Sequence, residues 1–202
     1  MPQSAPALKG LVLAGGFGTR LGRAKGELDY HGQPQARWAH ALLTDVCDHA
    51  FVSIRADQAT DAPYAGLPLI VDVDADAGPA AGLLAAWAAH SDAAWLVLAA
   101  DLPLVDRRLL AGLVAARDPA ALATAYRQPD GTPEPLCAIF EPAARAALER
   151  QRPGRISLRR ALEQGPCRLL TAPEPARLRS VNTPEDAAAV REWLTARRAG
   201  AI

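Results

Sequence analysis

The sequence is poor in cysteine, in lysine and in net charge, and each shortage closes off a class of protein. Its three cysteines, Cys47, Cys137 and Cys167, are odd in number and widely spaced. They offer neither a disulfide framework nor a C-x-x-C metal pattern, which suits a reducing cytoplasm and a role as small buried hydrophobes. Acidic and basic residues balance at 22 each, so no global field draws the chain to nucleic acid or to a membrane. Any anion it binds must be held locally. No apolar run approaches the length of a bilayer span. The segment Met1–Lys9 is short and polar with two prolines, and lacks the basic head and apolar centre of a secretory signal. No internal repeat is visible.

What is present is enough for a full core. With 202 residues, 50% of them hydrophobic and 22% charged, the chain reads as one domain over 1–202. Apolar runs of strand length alternate with longer alanine-rich segments. Strands are predicted at Leu8–Ala14, Ala50–Ile54, Leu67–Val71, Ala94–Ala99, Ala121–Tyr126, Leu136–Phe140 and Arg168–Leu170. Helices are predicted at Gln35–Val46, Pro79–His90, from an Asp106 N-cap to Arg117, Pro142–Arg150, Ile156–Gln164 and Pro184–Arg197. The turn Pro129-Asp130-Gly131 joins two of the strands. Trp38, Trp87, Trp95 and Trp193 are expected in the core. Such alternation predicts an α/β fold, a mostly parallel sheet with helices on both faces and ligands at the carboxyl ends of its strands.

The first predicted strand runs into the most informative stretch, Leu13-Ala14-Gly15-Gly16-Phe17-Gly18-Thr19-Arg20-Leu21-Gly22-Arg23-Ala24-Lys25. Glycines let a phosphate approach backbone amides closely, and arginine and lysine supply the opposing charge. Strand, glycine loop and cation together have the shape of a nucleoside triphosphate cradle. Two familiar phosphate loops do not fit. A G-x-G-x-x-G fingerprint begun at Gly16 needs glycine at 21, where Leu21 stands, and a Walker A loop needs Gly-Lys-Ser/Thr, where the chain has Ala24-Lys25-Gly26. Of the 22 basic residues only Lys9 and Lys25 are lysines. A lysine inside the loop of so arginine-rich a chain suggests that a compact ammonium is wanted there.

Two further constellations follow. Trp95–Ala100 is a strongly apolar run ending at Asp101-Leu102-Pro103. That aspartate stands where a Mg²⁺ ligand would, since Mg²⁺ takes one or two carboxylates with phosphate oxygens and water; capping the turn before Pro103 is the other role open to it. Asp72, Asp74 and Asp76 precede Gly78-Pro79. They do not fit a calcium loop, which needs glycine at its sixth position and a terminal Glu. One of these acids is expected to touch a nucleotide, and the helix that Gly78-Pro79 opens could turn its amides toward a phosphate or a base.

With these motifs in order, the chain resembles the molybdenum cofactor guanylyltransferases, which join GMP from GTP to molybdopterin. Leu13-Ala14-Gly15-Gly16 with Arg20, Gly22 and Lys25 matches the family's signature loop. His31-Gly32-Gln33-Pro34, Gly78-Pro79-Ala80-Ala81-Gly82, Ala100-Asp101-Leu102-Pro103, Glu134-Pro135-Leu136 and Val181-Asn182-Thr183-Pro184-Glu185-Asp186 resemble its later motifs. The resemblance implies a three-layer Rossmann-like nucleotidyltransferase fold, with a nucleotide-binding half over 8–105 and an acceptor half over 106–197. It implies that Leu13, Ala14, Gly15 and Gly16 hold the nucleotide through the backbone, that Arg20 and Lys25 bind phosphates, and that Asp101 binds Mg²⁺. Asp72, Ser53 and Gly78 would line the nucleotide, and Asn182 the pterin side. It further implies GTP and molybdopterin as substrates, a cytoplasmic location and transient contact with proteins that deliver or accept the cofactor.

The chain departs from the family pattern at four places. Ala24 stands where an acid is usual, Ser53 where asparagine is frequent, Gln35 where leucine follows Gly-x-Pro, and Ser180 where N-x-N-T-P has its first asparagine. These bear on the acceptor more than on the nucleotide. A cytidylyltransferase or another small-phosphate nucleotidyltransferase of the same fold, and a nucleotide-binding relative without catalysis, are the alternatives.

Overall fold

The computed structural model describes residues 5–16, 22–72 and 77–199. Arg20, with the rest of 17–21, and Asp74 and Asp76 lie outside the described residues.

Seven strands form one sheet: β1 (Leu8–Leu13), β2 (His49–Arg55), β3 (Leu69–Asp72), β4 (Ala94–Ala99), β5 (Ala123–Arg127), β6 (Pro133–Phe140) and β7 (Cys167–Thr171). Their order is β3-β2-β1-β4-β6-β5-β7. All neighbours run parallel except that β6 lies antiparallel between β4 and β5. Among the described residues there are six α-helices: α1 (Gln35–Thr44), α2 (Pro79–Ala89), α3 (Arg107–Ala115), α4 (Ala144–Glu149), α5 (Leu158–Gln164) and α6 (Pro184–Arg198).

The two faces of β4 show why its run is wholly apolar. Leu96 and Leu98 point into a core shared with Ala36, Ala39 and Leu43 of α1 and Leu109, Leu110 and Leu113 of α3. Trp95 and Val97 point the other way, onto Leu83 and Trp87 of α2, Leu148 of α4 and Leu162 of α5. A strand covered on both sides loses the polar alternation of a half-buried one. A third, smaller core joins Leu28, Tyr30 and Leu104 to Val181, Ala187 and Val190. It seats α6 beside the end of β4.

The expected α/β sandwich is observed, with every predicted strand and helix present and no end shifted by more than three residues. Asp106 caps α3, its carboxylate accepting the Leu109 N–H at 3.0 Å. Two expectations need correction. Trp87 and Trp95 are fully buried, but Trp38 and Trp193 are half-buried: Trp38 stacks on His31 at 4.1 Å, and Arg177 and Arg197 lie over the Trp193 ring. Cys137 is buried, whereas Cys47 and Cys167 are half-buried because they sit near element ends.

Candidate active site

The site is built where β1, β2 and β4 end side by side. Leu13 pairs in register with Ser53 on one side and Ala99 on the other. The chain runs outward from β1 through β2 to β3, then returns to β4 on the opposite side, so β1 and β4 flank the switch point where such sheets open a crevice. Backbone bonds carry the sheet one residue further, Ala14 N–H to Ser53 O at 2.9 Å and Ala100 N–H to Leu13 O at 3.0 Å.

Beyond those bonds lies a cleft of about 200 Å³. Leu13, Ala14, Gly15, Gly16, Lys25, Ser53, Asp72, Gly78 and Asp101 all line it, and so does Arg55, which the sequence did not single out. Asn182, two residues ahead of α6, does not line the cleft but meets Lys25 at its edge. The Lys25 ammonium donates to Asp101 Oδ2 and to Asn182 Oδ1, each at 2.7 Å. One lysine thus ties the glycine loop, the end of β4 and the start of α6 together.

Each partner is held in turn. The Asp101 carbonyl accepts the Val181 N–H at 2.8 Å, which brings the neighbouring Asn182 to the lysine. Thr183 and Asp186 form a reciprocal capping box at the head of α6, and Asp186 Oδ2 also accepts the Asn182 N–H at 3.1 Å. Ser180, which the sequence marks only as a departure, has a job: its Oγ accepts Asn182 Nδ2 at 3.0 Å, leaving Oδ1 toward Lys25. His31 Nε2 bonds the Pro103 carbonyl at 2.8 Å and fixes the turn after Asp101. Burial pushes the imidazole pKa below its usual value, which favours the neutral ring whose Nε2–H makes this bond.

The opposite wall is acidic. Ser53 Oγ donates to Asp72 Oδ1 at 2.5 Å. Burial raises the Asp72 pKa to about 6, with Ser53 and Arg55 opposing the rise. Two glycines let these walls close up: a Cβ on Gly15 would stand 2.9 Å from Asp72 Oδ2, and one on Gly82 would run into Ser53 Oγ. Glu134 is buried at the start of β6, where its carboxylate accepts the Leu136 N–H at 2.8 Å and the Gln128 side chain. Burial pushes its pKa up, and the nearby Asp101 adds to this. Leu136, placed this way, lines the cleft and also a second one of about 360 Å³. The second cleft shares Gly78 and Pro79 and is edged by Arg155, Arg159 and Arg160.

Among the described residues no group of three or more His, Cys, Asp and Glu converges, so an all-protein metal cage is not built there. Asp101 Oδ1, however, is buried without a hydrogen-bond partner beside its lysine-bound twin. One unpartnered carboxylate oxygen of a cleft-lining residue fits a cation that takes its other ligands from phosphate and water. It does not fit zinc.

A glycine-rich strand end, a lysine–aspartate–asparagine junction and a cleft at the switch point of this sheet are the features that an enzyme of the nucleotidyltransferase class needs. The profile of the MobA-like NTP transferase domain matches residues 10–170. A molybdenum cofactor guanylyltransferase of Pseudomonas putida is 34% identical, over 92% of this chain and 98% of its own. A molybdenum cofactor biosynthesis bifunctional protein of Synechocystis is 32% identical over 91% of this chain, which spans only about half (53%) of that relative's length. Among solved structures, molybdopterin-guanine dinucleotide biosynthesis protein A of Archaeoglobus fulgidus shares the fold, with a TM-score of 0.77 at 23% identity over 93% of this chain and 98% of its own. The chain therefore belongs to the molybdenum cofactor guanylyltransferase family of MobA-like nucleotidyltransferases.

Proposed function

We propose that the chain transfers GMP from GTP to molybdopterin and releases pyrophosphate. The observation that carries this reading is the junction of Lys25 with Asp101 and Asn182 at the mouth of the Leu13–Gly16 loop. The guanylyltransferase name of the Pseudomonas putida relative supports GTP as the donor.

In this reading base and ribose lie against Leu13–Gly15, Ser53 and Asp72, and the triphosphate runs past Gly16 toward Lys25. An oxygen of the acceptor's phosphate attacks the α-phosphorus in line, and the bond from that phosphorus to the bridging oxygen breaks. Pyrophosphate leaves with the electron pair. The nucleophile is already an anion, so no general base is required; the work is positioning and charge stabilisation. Lys25 and Arg20 neutralise the departing phosphates. Asn182, held by Ser180 and the capping box, orients Lys25 on one side and meets the acceptor on the other. The acceptor half, 106–197, contributes Leu136 and the arginine-edged cleft beside it, a suitable seat for an anionic molecule. Mg²⁺, held through Asp101, would supply further neutralisation of the α- and β-phosphate oxygens. A cytoplasmic setting and transient contacts with proteins that bring or take the cofactor complete the reading.

Asp101→Ala tests it. The expected result is loss of nearly all turnover with an unchanged far-UV spectrum, because the substitution removes the metal's carboxylate and releases Lys25. Lys25→Ala should cost at least ~2–3 kcal/mol in transition-state stabilisation, the scale of one charged contact to the reacting phosphates. Retained activity in Asp101→Ala contradicts the assignment.

A further inference from the structure

Arg55 stands in the nucleotide cleft with a geometry that ordinary sheet pairing does not provide. The parallel bonds between β1 and β2 stop at Ala14, because the Arg55 N–H turns instead to Gln58 Oε1 at 3.1 Å. The side chain takes over where the backbone stops. Arg55 Nη1 donates to the Gly15 carbonyl at 2.5 Å, while Nε and Nη2 are gripped by the two oxygens of Asp57 at 3.0 and 2.9 Å. A guanidinium held bidentately by a carboxylate keeps a fixed plane. Gly15 is pressed between this side chain and Asp72, since a Cβ there would meet Asp72 Oδ2 at 2.9 Å and Arg55 Cγ at 3.6 Å.

A trans peptide is planar, so its C=O and its N–H point in opposite directions. Turning the Gly15 carbonyl toward β2 turns the Gly16 N–H away from it. On that far side of β1 lies β4, whose end carries Asp101 and its lysine. We propose that Arg55 is a positioning residue of the nucleotide site: clamped by Asp57, it holds the Gly15 carbonyl and so aims the Gly16 amide at the phosphates of the bound nucleotide. Asp57, two-thirds exposed, stands outside the cleft lining and acts only through Arg55.

The inference rests on the reading of the cleft as a GTP site. It separates phosphate from base: Arg55 should matter for the triphosphate and not for guanosine. The test is calorimetric titration of the full chain and its Arg55→Ala, Arg55→Lys and Asp57→Asn variants with GTP and with guanosine, in the presence of Mg²⁺. Arg55→Ala should bind GTP about 10-fold more weakly and guanosine unchanged, with millimolar guanidinium restoring part of the loss. Asp57→Asn, which leaves every cleft residue in place, should weaken GTP binding about 3-fold, and Arg55→Lys should not restore the wild-type value. If wild type binds GTP and all three variants bind it equally well, the clamp is overturned and the nucleotide site stands. If guanosine and GTP lose affinity together, Arg55 serves the base or the fold, and the clamp is again overturned. If wild type binds neither ligand, the nucleotide reading itself fails and takes the clamp with it.

Discussion

At the scale of single residues, the site sets two acids in different surroundings on opposite walls. Asp101 shares its charge with Lys25, whereas Asp72 is desolvated with only a serine and the flank of Arg55 to relieve it. The raised Asp72 pKa has a consequence of definite sign. A carboxyl whose folded value, about 6, lies above the unfolded ~3.9 stabilises the fold in its protonated form. That contribution is fully present below about pH 4 and lost as pH rises through 6. Nucleotide binding pulls the other way, because a base or ribose donor needs the ionised oxygen. Asp72→Asn should therefore flatten the pH dependence of stability between 4 and 6 in thermal melts. In wild type, GTP affinity should fall as pH drops through about 6 beyond the fall seen in Asp72→Asn. Parallel profiles for the two proteins would show that Asp72 does not touch the nucleotide. The residues the sequence marked as site candidates are those with unusual chemistry in an apolar setting, such as Lys25 and Asp101. Arg55 and Ser180 escaped because their roles depend on what stands opposite, Gly15 and Asn182, and neither spacing nor composition carries that information.

At the scale of elements, the order of strands and helices was legible because each is a run of one periodicity bounded by proline, glycine or a capping acid. The antiparallel insertion of β6 between β4 and β5 was less so. The hairpin at Pro129-Asp130-Gly131 announces that β5 and β6 pair, but nothing local says that β6 also pairs with β4. That pairing delivers Leu136 to the cleft, with Glu134 buried behind it. The head of α6 matters in the same way. The Thr183 capping box sets the helix start and the approach of Asn182 to Lys25. Thr183→Ala should cost about 1 kcal/mol of stability. It should also lower turnover by more than that loss of folded protein explains, because Asp186, which accepts the Asn182 N–H, loses its Thr183 partner. Unchanged turnover in fully folded Thr183→Ala would mean that Ser180, Asp186 and the Val181 bond to Asp101 hold the asparagine without the Thr183 side chain.

At the scale of the whole molecule, one sheet carries the candidate site at its carboxyl edge and a buried ion pair away from it. Glu141, just past β6, is almost completely buried and accepts two bonds from Arg117 at 2.6 and 2.9 Å, while Arg117 also donates to the Pro6 carbonyl at 2.8 Å. The pair ties the end of α3 and the lead-in to β1 onto β6. Removing one partner strands a buried charge, so Arg117→Ala should lose about 3–5 kcal/mol in denaturant unfolding. Its nucleotide affinity should stay at the wild-type value while the protein remains folded. The sheet thus separates what holds the molecule together from what performs its chemistry, and the family's cleft sits where β1, β2 and β4 end in step. The most direct measurement of what that cleft does is pyrophosphate release by the intact chain, with GTP, CTP or ATP, Mg²⁺, and molybdenum-loaded molybdopterin present or withheld. The account predicts release that requires both GTP and the pterin and disappears in Asp101→Ala. Release driven equally by CTP, or by GTP with the pterin withheld, would contradict it.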